Sequence, residues 1–450
     1  MLTSRPVGAL LWQYALPAII AMMTSSLYNI IDGIMIGQGV GPDAITGLAL
    51  THPIMALTAA FGAMIGVGGA TLMSVRLGQQ DHDAANQILG NVVSLSFIVG
   101  IGLMVGLLTW LEPILRAFGA SDTTLPYAAD FLRIILWGNI ITQLFYGLNA
   151  QLRSTQRPRL AMNATIGSVV VNAALGALFI FGFGWGIRGA ALATVLAQAS
   201  MLMWQLYLFS NPADTVHLQR ATLRPRWRIV REAITIGLPQ LLLNACAALV
   251  GIIVMRSMAR YGGDTAVGAF GIVSRLMMLI VFVVIGLNQG MQPIAGYNYG
   301  AGRYDRVKSV ARLTIIAATC VTSLGALAAW TIPEILVAPF AKDAPHLIEA
   351  SAHGLRIATA MFPFVGLQIV SSALFQSIGI PGKSIFLSLT RQVIFLIPGL
   401  LLIPHLWHDP MQGVWLAMPI SDGAAAALSA WLVWKQMEEL NKSGELSVES

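Results

Sequence analysis

The stretch Ser25-Ser-Leu-Tyr-Asn-Ile-Ile-Asp-Gly-Ile-Met-Ile-Gly37 lies near the end of an apolar segment that runs from about Leu10 to Ile36. A helix needs roughly 20 apolar residues to cross a bilayer, so this segment is long enough to span a membrane. Asp32 lies inside it. A carboxylate at this depth is costly, so we expect it to face protein or a water-filled cavity and to mark a functional site. The alternative is a residue at the helix end near the headgroups, since glycines follow closely.

Asp32 shares a helical face with Ser25, Tyr28, Asn29 and Ile36, which makes a mostly polar stripe around one titratable group. Burial disfavours the charged form of a carboxyl group, so a lone carboxylate in a half-wet cavity can exchange a proton near physiological pH. An ionised Asp32 would attract a cation, and a protonated one would release it. These two states are the minimum machinery of a proton-coupled antiporter.

The composition of the chain indicates a membrane protein. Of its 450 residues 56% are hydrophobic and only 10% are charged, and the mean hydropathy is +0.73. Soluble chains carry about 25% charged residues. The net charge of +6 is no sign of nucleic-acid binding, because the basic residues lie in short loops between apolar segments. The two cysteines, Cys246 and Cys320, both lie in apolar segments and provide neither a disulfide framework nor a zinc site.

Twelve apolar segments are long enough to be transmembrane helices, so the sequence predicts an all-α polytopic membrane protein. We place the spans at residues 11–37, 45–75, 88–111, 127–151, 159–181, 187–209, 233–258, 266–296, 310–331, 347–377, 383–404 and 412–434. The first span lacks a cleavage site typical of a signal peptide, so we expect it to be retained.

Basic residues indicate which side of the membrane each predicted loop occupies. One set consists of the N-terminus, every second loop and the C-terminus, and it carries most of them: Arg5, Arg76, Arg153, Arg157, Arg159, Arg220, Arg224, Arg226, Arg228, Arg231, Arg303, Arg306, Lys308, Arg312, Lys383, Lys435 and Lys442. By the positive-inside rule this set is cytoplasmic, so we expect both termini in the cytoplasm.

An internal repeat divides the chain into two halves. With a shift of 222 residues Leu16-Pro17 falls on Leu238-Pro239, and with a shift of 223 Leu132-Arg133-Ile134 falls on Leu355-Arg356-Ile357. Each half has six spans, an even number, so we expect two six-helix lobes related by a pseudo-two-fold axis along the membrane normal, with a cavity between them. The predicted domains are an N-lobe (1–210), a basic cytoplasmic linker (211–231), a C-lobe (232–436) and a polar tail (437–450).

Few ionisable residues lie deep in the predicted spans, and the two halves differ in them. Asp32 is alone in the first half, and Val254 stands at its repeat position. The second half has Arg275, Arg391 and Asp422, which suffice for a buried ion pair. We favour a structural pair, because a buried charge needs a partner. A role in gating is the alternative.

Polar and adaptable side chains of the first half are candidates to line a cavity. The fifth span carries Asn163, Thr165 and Asn172, and Thr194 ends the motif Gly189-Ala-Ala-Leu-Ala-Thr194 on the sixth. The candidates for substrate binding are Tyr28, Asn29, Asp32, Met55, Phe61, Met64, Gln143, Tyr146, Asn149 and Asn163. For most of these side chains, packing in the protein core or against lipid is the alternative.

Four motifs taken together resemble the multidrug and toxic compound extrusion (MATE) transporters, and among them the bacterial DinF-like and MepA-like branch. They are Leu27-Tyr-Asn-Ile-Ile-Asp-Gly33, Gly189-Ala-Ala-Leu-Ala-Thr194, Gln289-Gly-Met-Gln-Pro-Ile294 and Gly296-Tyr-Asn-Tyr-Gly-Ala301. The resemblance implies two six-helix lobes in the bacterial inner membrane, alternating access, and export of organic cations in exchange for protons or sodium. It implies that the ion-coupling residues are Asp32, Asn172 and Thr194.

One departure from the family pattern bears on the coupling ion. The second carboxylate of the family's first lobe, one turn after the asparagine of the fifth span, falls on Gly176. Sodium needs several oxygen ligands, whereas a proton needs a single carboxyl group. We therefore expect protons, rather than sodium, to drive transport.

Other classes of function fit the sequence less well. A lipid-linked oligosaccharide flippase of related architecture is the main alternative, but it would need a strongly cationic cavity. We find no Walker loop, no cluster of metal ligands and no nucleophile with a paired base, so we expect neither an enzyme nor a cofactor. A channel would not need two repeated bundles with one asymmetric carboxylate. The expected partners are small organic cations, protons and the lipid bilayer, without nucleic acid, and we expect a monomer.

Overall fold

Helices make up every regular element of the described chain. The structure is a computed structural model that describes residues 4–340 and 344–448, apart from the side chains of Asn29, Pro42 and residues 443–448. The α-helices are α1 Val7–Gly39, α2 Pro42–Gly78, α3 His82–Thr109, α4 Leu111–Ala117, α5 Leu125–Trp137, α6 Asn139–Ser154, α7 Pro158–Ala177, α8 Gly186–Phe209, α9 Trp227–Gly300, α10 Tyr304–Thr331, α11 Pro333–Val337, α12 Pro345–Ala358, α13 Phe362–Ser377, α14 Pro381–Leu389, α15 Ile397–Leu406 and α16 Pro410–Val448. Leu178–Gly182 and Thr390–Leu396 are π-helical, and Arg220–Leu223 and Ala338–Phe340 form 3-10 turns.

Twelve spans are present in the described residues. Nine stretches of helix are long and apolar enough to cross a membrane, and two further spans are the pairs α5 with α6 and α12 with α13, each bent by 56°. The twelfth span comes from α9, because 74 residues in one straight helix would be about 110 Å long, against a hydrocarbon core of about 30 Å. α9 breaks at Gly263, where a φ of 63° and a ψ of −159° are not helical. The prediction of an all-α polytopic fold is confirmed.

The backbone repeats itself at the predicted offsets. Residues with positive φ are uncommon, above all when they are not glycine, so their positions mark special turns. Three pairs of them are related by the shifts of 222 or 223 residues: Gly41 and Gly263, Gln80 and Gly302, and Gln156 and Gly379. The corresponding turns of the two halves therefore have the same handedness.

Two ion pairs follow the same repeat. Arg133 lies 2.9 Å from Glu112, and Arg356, at the repeat position, lies 3.1 Å from Glu334. The first pair joins α4 to α5, and the second joins α11 to α12. Each pair is about half exposed, so it contributes at most about 1 kcal/mol to stability. The repeated ion pair is informative because it shows that the two halves share one architecture.

The chain forms two compact units whose limits differ from the predicted lobes. The first unit is Ile20–Leu241, and the second unit combines Met1–Ile19 with Leu242–Ser450. The residues of α1 up to Ile19 therefore belong to the second unit, and the rest of α1 belongs to the first. The residues of α9 up to Leu241 belong to the first unit, and the rest of α9 belongs to the second. The division of the chain into lobes at residues 210 and 232 stays a prediction.

Close contacts at glycine explain where these opening segments belong. In the second unit a Cβ atom added to Gly290 would lie 2.6 Å from the backbone nitrogen of Ala15. In the first unit a Cβ atom on Gly68 would collide with the carbonyl of Ala233 and lie 3.1 Å from the nitrogen of Gly237. Only glycine permits helices to approach this closely. Gly68 and Gly290 are repeat equivalents, as are Ala15 and Gly237, so the chain builds the same helix contact twice.

The predicted polar tail begins inside α16, which continues as a helix to Val448. The side chain of Lys383 donates to Gln436 at 2.7 Å and lies 3.3 Å from the carboxylate of Glu439. These bonds join the end of α16 to α14 in the second unit. Residues 449–450 lie outside the described chain.

Candidate functional site

Three helices of the first unit bring the predicted ion-coupling residues together. α1 presents Tyr28 and Asp32 on one face, because residues four apart are neighbours on a helix. α7 supplies Asn172 and α8 supplies Thr194, and all three of the predicted coupling residues are buried. We call Tyr28, Asp32, Asn172 and Thr194 the polar cluster.

Small residues allow α8 to supply its threonine at close range. Ala190, Ala191 and Ala193 precede Thr194 and are fully buried. A Cβ atom on Gly189 would lie 3.0 Å from the Cβ of Phe179, so this glycine also serves the close packing of α8 against the π-helical turn after α7. The motif Gly189–Thr194 is therefore both a packing element and the carrier of a cluster residue.

Thr194 is the centre of the hydrogen bonds in the polar cluster. Its hydroxyl donates to the carbonyl oxygen of Ala190 at 3.1 Å. Asn172 Nδ2 donates to Thr194 Oγ1 at 2.9 Å, and the hydroxyl of Tyr28 lies 3.1 Å from the same oxygen. Either hydroxyl can be the donor in the contact between Tyr28 and Thr194, because each has one proton and can also accept.

Asp32 is a buried carboxylate without a counter-charge among the described residues. It is 6% exposed and follows Tyr28 by one turn of α1. The ion pairs of the described chain do not include it. Within that part of the chain, Asp32 Oδ1 and Asn172 Oδ1 are both buried and have no hydrogen-bond partner. Buried acceptors without donors cost free energy, so the polar cluster is suited to bind a proton or a cation.

Met35 fills the space beside Gly176, where the family pattern has its second carboxylate. Gly176 is buried on α7, and a Cβ atom there would lie 3.1 Å from Cε of Met35 on α1. A thioether sulfur is at most a weak acceptor, so this position adds no charge to the polar cluster. Sequence reasoning missed Met35, although its spacing of three residues from Asp32 puts both side chains near one face of α1.

Several of the predicted substrate-binding residues are at least partly accessible in the first unit. Tyr146 is 39% exposed, and Met55 and Phe61 are half-buried. An aromatic ring and a flexible thioether suit adaptable contact with an apolar cation. Their role in substrate binding stays a prediction.

Other predicted substrate-binding residues are enclosed by helix packing. Gln143 is fully buried and donates to the carbonyl of Thr58 at 2.8 Å, which joins α6 to α2. Asn149 donates to the carbonyl of Ala161 at 2.9 Å and joins α6 to α7. Met64 is buried on α2. Contact between these residues and a substrate stays a prediction.

The two remaining asparagines of the predicted substrate-binding set are Asn163 and Asn29. Asn163 is exposed on α7, whereas Asn172 is buried. Nine residues on a helix are two and a half turns, so these two side chains point to opposite sides. The side chain of Asn29 lies outside the described residues.

The second unit contains a buried ion pair. Arg391 Nε donates to Asp422 Oδ1 at 2.8 Å, and the two side chains are 25% and 4% exposed. Arg391 lies in the π-helical turn of Thr390–Leu396, a local widening that re-aims side chains relative to a regular helix. The structure thus joins two of the three charges that we expected to be buried in this half.

Arg275 is the third of these charges, and the prediction that it is buried is wrong. Its side chain is exposed, and it takes part in no ion pair of the described residues. Val273, two positions earlier on α9, is fully buried. Because neighbouring helix positions two apart point in roughly opposite directions, Arg275 projects away from the packed face.

Comparison with known protein families matches the chain to one family twice. The MatE family model matches residues 17–178 and residues 239–401. The starts of the two matches differ by 222 residues and their ends by 223, which are the offsets of the internal repeat. The family unit is therefore one half of this chain.

Relatives of known name and structure cover nearly the whole chain. The multidrug export protein MepA of Staphylococcus haemolyticus is 25% identical over 438 residues, which are 97% of this chain and 96% of that protein. The MATE multidrug transporter DinF-BH, whose structure was solved as a complex, is 35% identical, with a TM-score of 0.88 over 96% of this chain and 97% of that one.

A third comparison fixes the fold. The crystal structure of a MATE protein in the bent conformation is 22% identical and has a TM-score of 0.93 over 99% of this chain and 98% of that one. The resemblance seen in the four sequence motifs is confirmed, and DinF-BH supports the expected branch. This multi-pass membrane chain belongs to the MatE family, whose members are transporters and not enzymes.

Proposed function

We propose that this protein exports organic cations by alternating access, in exchange for protons that bind to Asp32. The observation that carries the proposal is the buried Asp32 carboxylate, which has no counter-charge among the described residues. It lies one helical turn after Tyr28, whose hydroxyl is 3.1 Å from Thr194 Oγ1. The names of the relatives support the choice of cargo, since MepA is named a multidrug export protein and DinF-BH a multidrug transporter.

In this proposal Asp32 binds cargo and proton in alternation. The ionised carboxylate binds a cationic substrate from the cytoplasm, and the protein reorients. Protonation of Asp32 from the outside then removes the attraction and releases the substrate. The surroundings of Asp32 support this cycle, because within the described chain its buried Oδ1 has no donor and the carboxylate has no cationic partner.

Protons fit the polar cluster better than sodium does. A sodium ion needs several oxygen ligands, and a second carboxylate would offset the cost of removing its water. Gly176 provides no carboxylate, and Met35 fills the adjacent space. The proposal further includes the bacterial inner membrane, both termini in the cytoplasm, and a monomer as the working unit.

Transport in proteoliposomes tests the proposal. The vesicles contain purified protein, and the movement of a panel of cationic dyes is followed under a proton gradient, a sodium gradient or neither. We expect a proton gradient to drive dye transport and Asp32→Asn to abolish it. Transport driven by sodium alone at equal pH, and lost in Asp32→Asn, would show that the argument from Gly176 is wrong. A lack of driven transport under both gradients would contradict antiport.

A further inference from the structure

The segment between the two repeats, residues 211–226, is fastened to the polar side of α3. Asn86 Oδ1 accepts from the backbone nitrogen of His217 at 2.9 Å, and Asn91 Oδ1 accepts from that of Arg226 at 2.6 Å. The hydroxyl of Ser94 donates to the carbonyl oxygen of Leu223. We call residues 211–226 the strap, and all these contacts lie within the first unit.

Two further contacts fix the strap in place. Arg157, between α6 and α7, lies 2.7 Å from the carboxylate of Asp214, and both side chains are about a quarter exposed. A Cβ atom on Gly90 of α3 would collide with the backbone of Thr222, so the strap and α3 touch backbone to backbone. The strap is therefore a built part of the first unit, and its backbone has a defined position on α3.

The strap and the first turn of α9 hold a concentration of positive charge. Arg220, Arg224, Arg226, Arg228 and Arg231 are all exposed. Among the described residues, Glu232 is the one carboxylate that pairs with any of them, and it binds Arg228 at 3.2 Å. Holding like charges together in fixed positions costs free energy, which an anionic ligand would recover.

Trp227 indicates the depth of these arginines. It is the first residue of α9 and is 75% exposed, although it begins a helix that enters a membrane span. Exposed tryptophans next to a span lie preferentially at the level of the lipid headgroups. Arg228 follows Trp227 directly and Arg231 lies about one helical turn after it, so both arginines begin near the headgroup level.

We propose that the strap and the first turn of α9 bind the headgroups of anionic phospholipids. The guanidinium group pairs with phosphate through two parallel hydrogen bonds, and basic residues next to a span attract anionic lipid by roughly fivefold each. A lipid is favoured over a soluble anion because the charges surround an exposed tryptophan at the start of a span. The proposal requires only that the chain lies in a membrane, and it is independent of the transport proposed above.

Binding of phosphatidylglycerol to the purified protein in a neutral detergent tests this inference, with phosphatidylcholine as the uncharged comparison and native mass spectrometry as the readout. The test variant combines Arg220→Gln, Arg224→Gln and Arg231→Gln. We expect it to bind phosphatidylglycerol roughly 100-fold more weakly than the wild type. The matched control combines Arg159→Gln, Arg303→Gln and Arg312→Gln, which are exposed and form no ion pair in the described chain. None of these three arginines lies in the strap or in the first turns of α9, so the proposed site keeps all of its arginines in the control. We therefore expect the tightest binding of phosphatidylglycerol by the control to stay within about threefold of the wild type.

Three outcomes would overturn the inference: equal binding of both lipids by the wild type, undiminished binding by the test variant, or an equal loss in the control. The wild type alone provides a further test that does not depend on the folding of a variant. Raising the salt from about 50 mM to about 500 mM should weaken phosphatidylglycerol binding strongly, because the arginines are exposed to screening. Phosphatidylglycerol binding that does not change with salt would contradict a lipid headgroup site. Complete displacement of the lipid by millimolar inorganic phosphate would contradict it too.

Discussion

Each of the two units contains one buried carboxylate among its described residues, Asp32 in the first unit and Asp422 in the second. Asp422 is paired with Arg391 at 2.8 Å, whereas Asp32 has no cationic partner in the described chain. The repeat positions of Asp32 and Arg391 are Val254 and Ser168, so neither feature is copied in the other half. One repeated scaffold therefore carries a fixed charge pair in one half and a carboxylate that is free to change its ligand in the other.

Removing the unpaired carboxylate should have the largest effect on transport. Asp32→Asn keeps the shape of the side chain but cannot titrate, so we expect proton-driven efflux to fall to the level of protein-free vesicles. Because no ion pair of the described chain is lost, the melting temperature in detergent should stay within about 3 °C of the wild type. Asp43→Asn, at an exposed carboxylate on α2, is the control and should transport normally. If Asp32→Asn transports at the wild-type rate, the unpaired carboxylate of the first unit has no special role in transport.

Removing the paired carboxylate should instead destabilise the protein. Asp422→Asn leaves the partly buried Arg391 without its counter-charge, which costs about 3 kcal/mol. We expect a clear drop in melting temperature for this variant. Combining Arg391→Met with Asp422→Leu removes both charges and should recover most of the stability. If the single variant melts like the wild type, the pair is not structural, and a role in gating becomes the better interpretation.

Thr194→Val should reduce transport without abolishing it. Valine keeps the volume but removes the acceptor for Asn172 and Tyr28, which releases the Tyr28 hydroxyl to compete for Asp32. With about 1 kcal/mol for each of the two lost hydrogen bonds, we expect proton-driven efflux to fall about 30-fold. Thr194→Ser keeps the hydroxyl and should remain within about threefold of the wild type. Equal rates for the valine and serine variants would show that the hydrogen bonds do not matter.

Gly176→Asp should have the smallest effect and the most specific one. It adds a carboxylate beside Asn172, and the end of the flexible Met35 side chain can move aside to admit it. We expect a severalfold gain of efflux driven by a sodium gradient at equal pH, because the cluster then offers a second anionic ligand. Gly176→Ala adds the volume without the charge and should show no gain. If a sodium gradient drives no more efflux in Gly176→Asp than in the wild type, a feature other than residue 176 selects the coupling ion.

Much of this architecture could be predicted from local patterns. Apolar segments of membrane-spanning length gave the twelve spans, and the ordered repeat of turn residues such as Gly41 and Gly263 gave the two halves. The grouping of Asp32, Asn172 and Thr194 followed from resemblance to a family, and hydrogen bonds now join Asn172 to Thr194.

Features that depend on three-dimensional packing could not be predicted. Arg275 stands on a helix that is apolar on nearly all sides, so its sequence context does not say which side is packed. The assignment of the opening segments of α1 and α9 to different units depends on backbone contacts at Gly68 and Gly290, between residues far apart in the chain. Met35 was overlooked because a methionine on a membrane helix carries no signal until its neighbour Gly176 is known.

The most direct test of the account is the release of protons when cargo binds. A cationic dye is titrated into purified protein in weakly buffered detergent solution, and the proton release is measured at several pH values between about 5 and 8. If Asp32 binds proton and cargo in alternation, the wild type and Asp422→Asn release up to about one proton for each dye bound, and Asp32→Asn releases none. Undiminished release from Asp32→Asn, or dye binding by the wild type without any release across this range, would contradict the central claim.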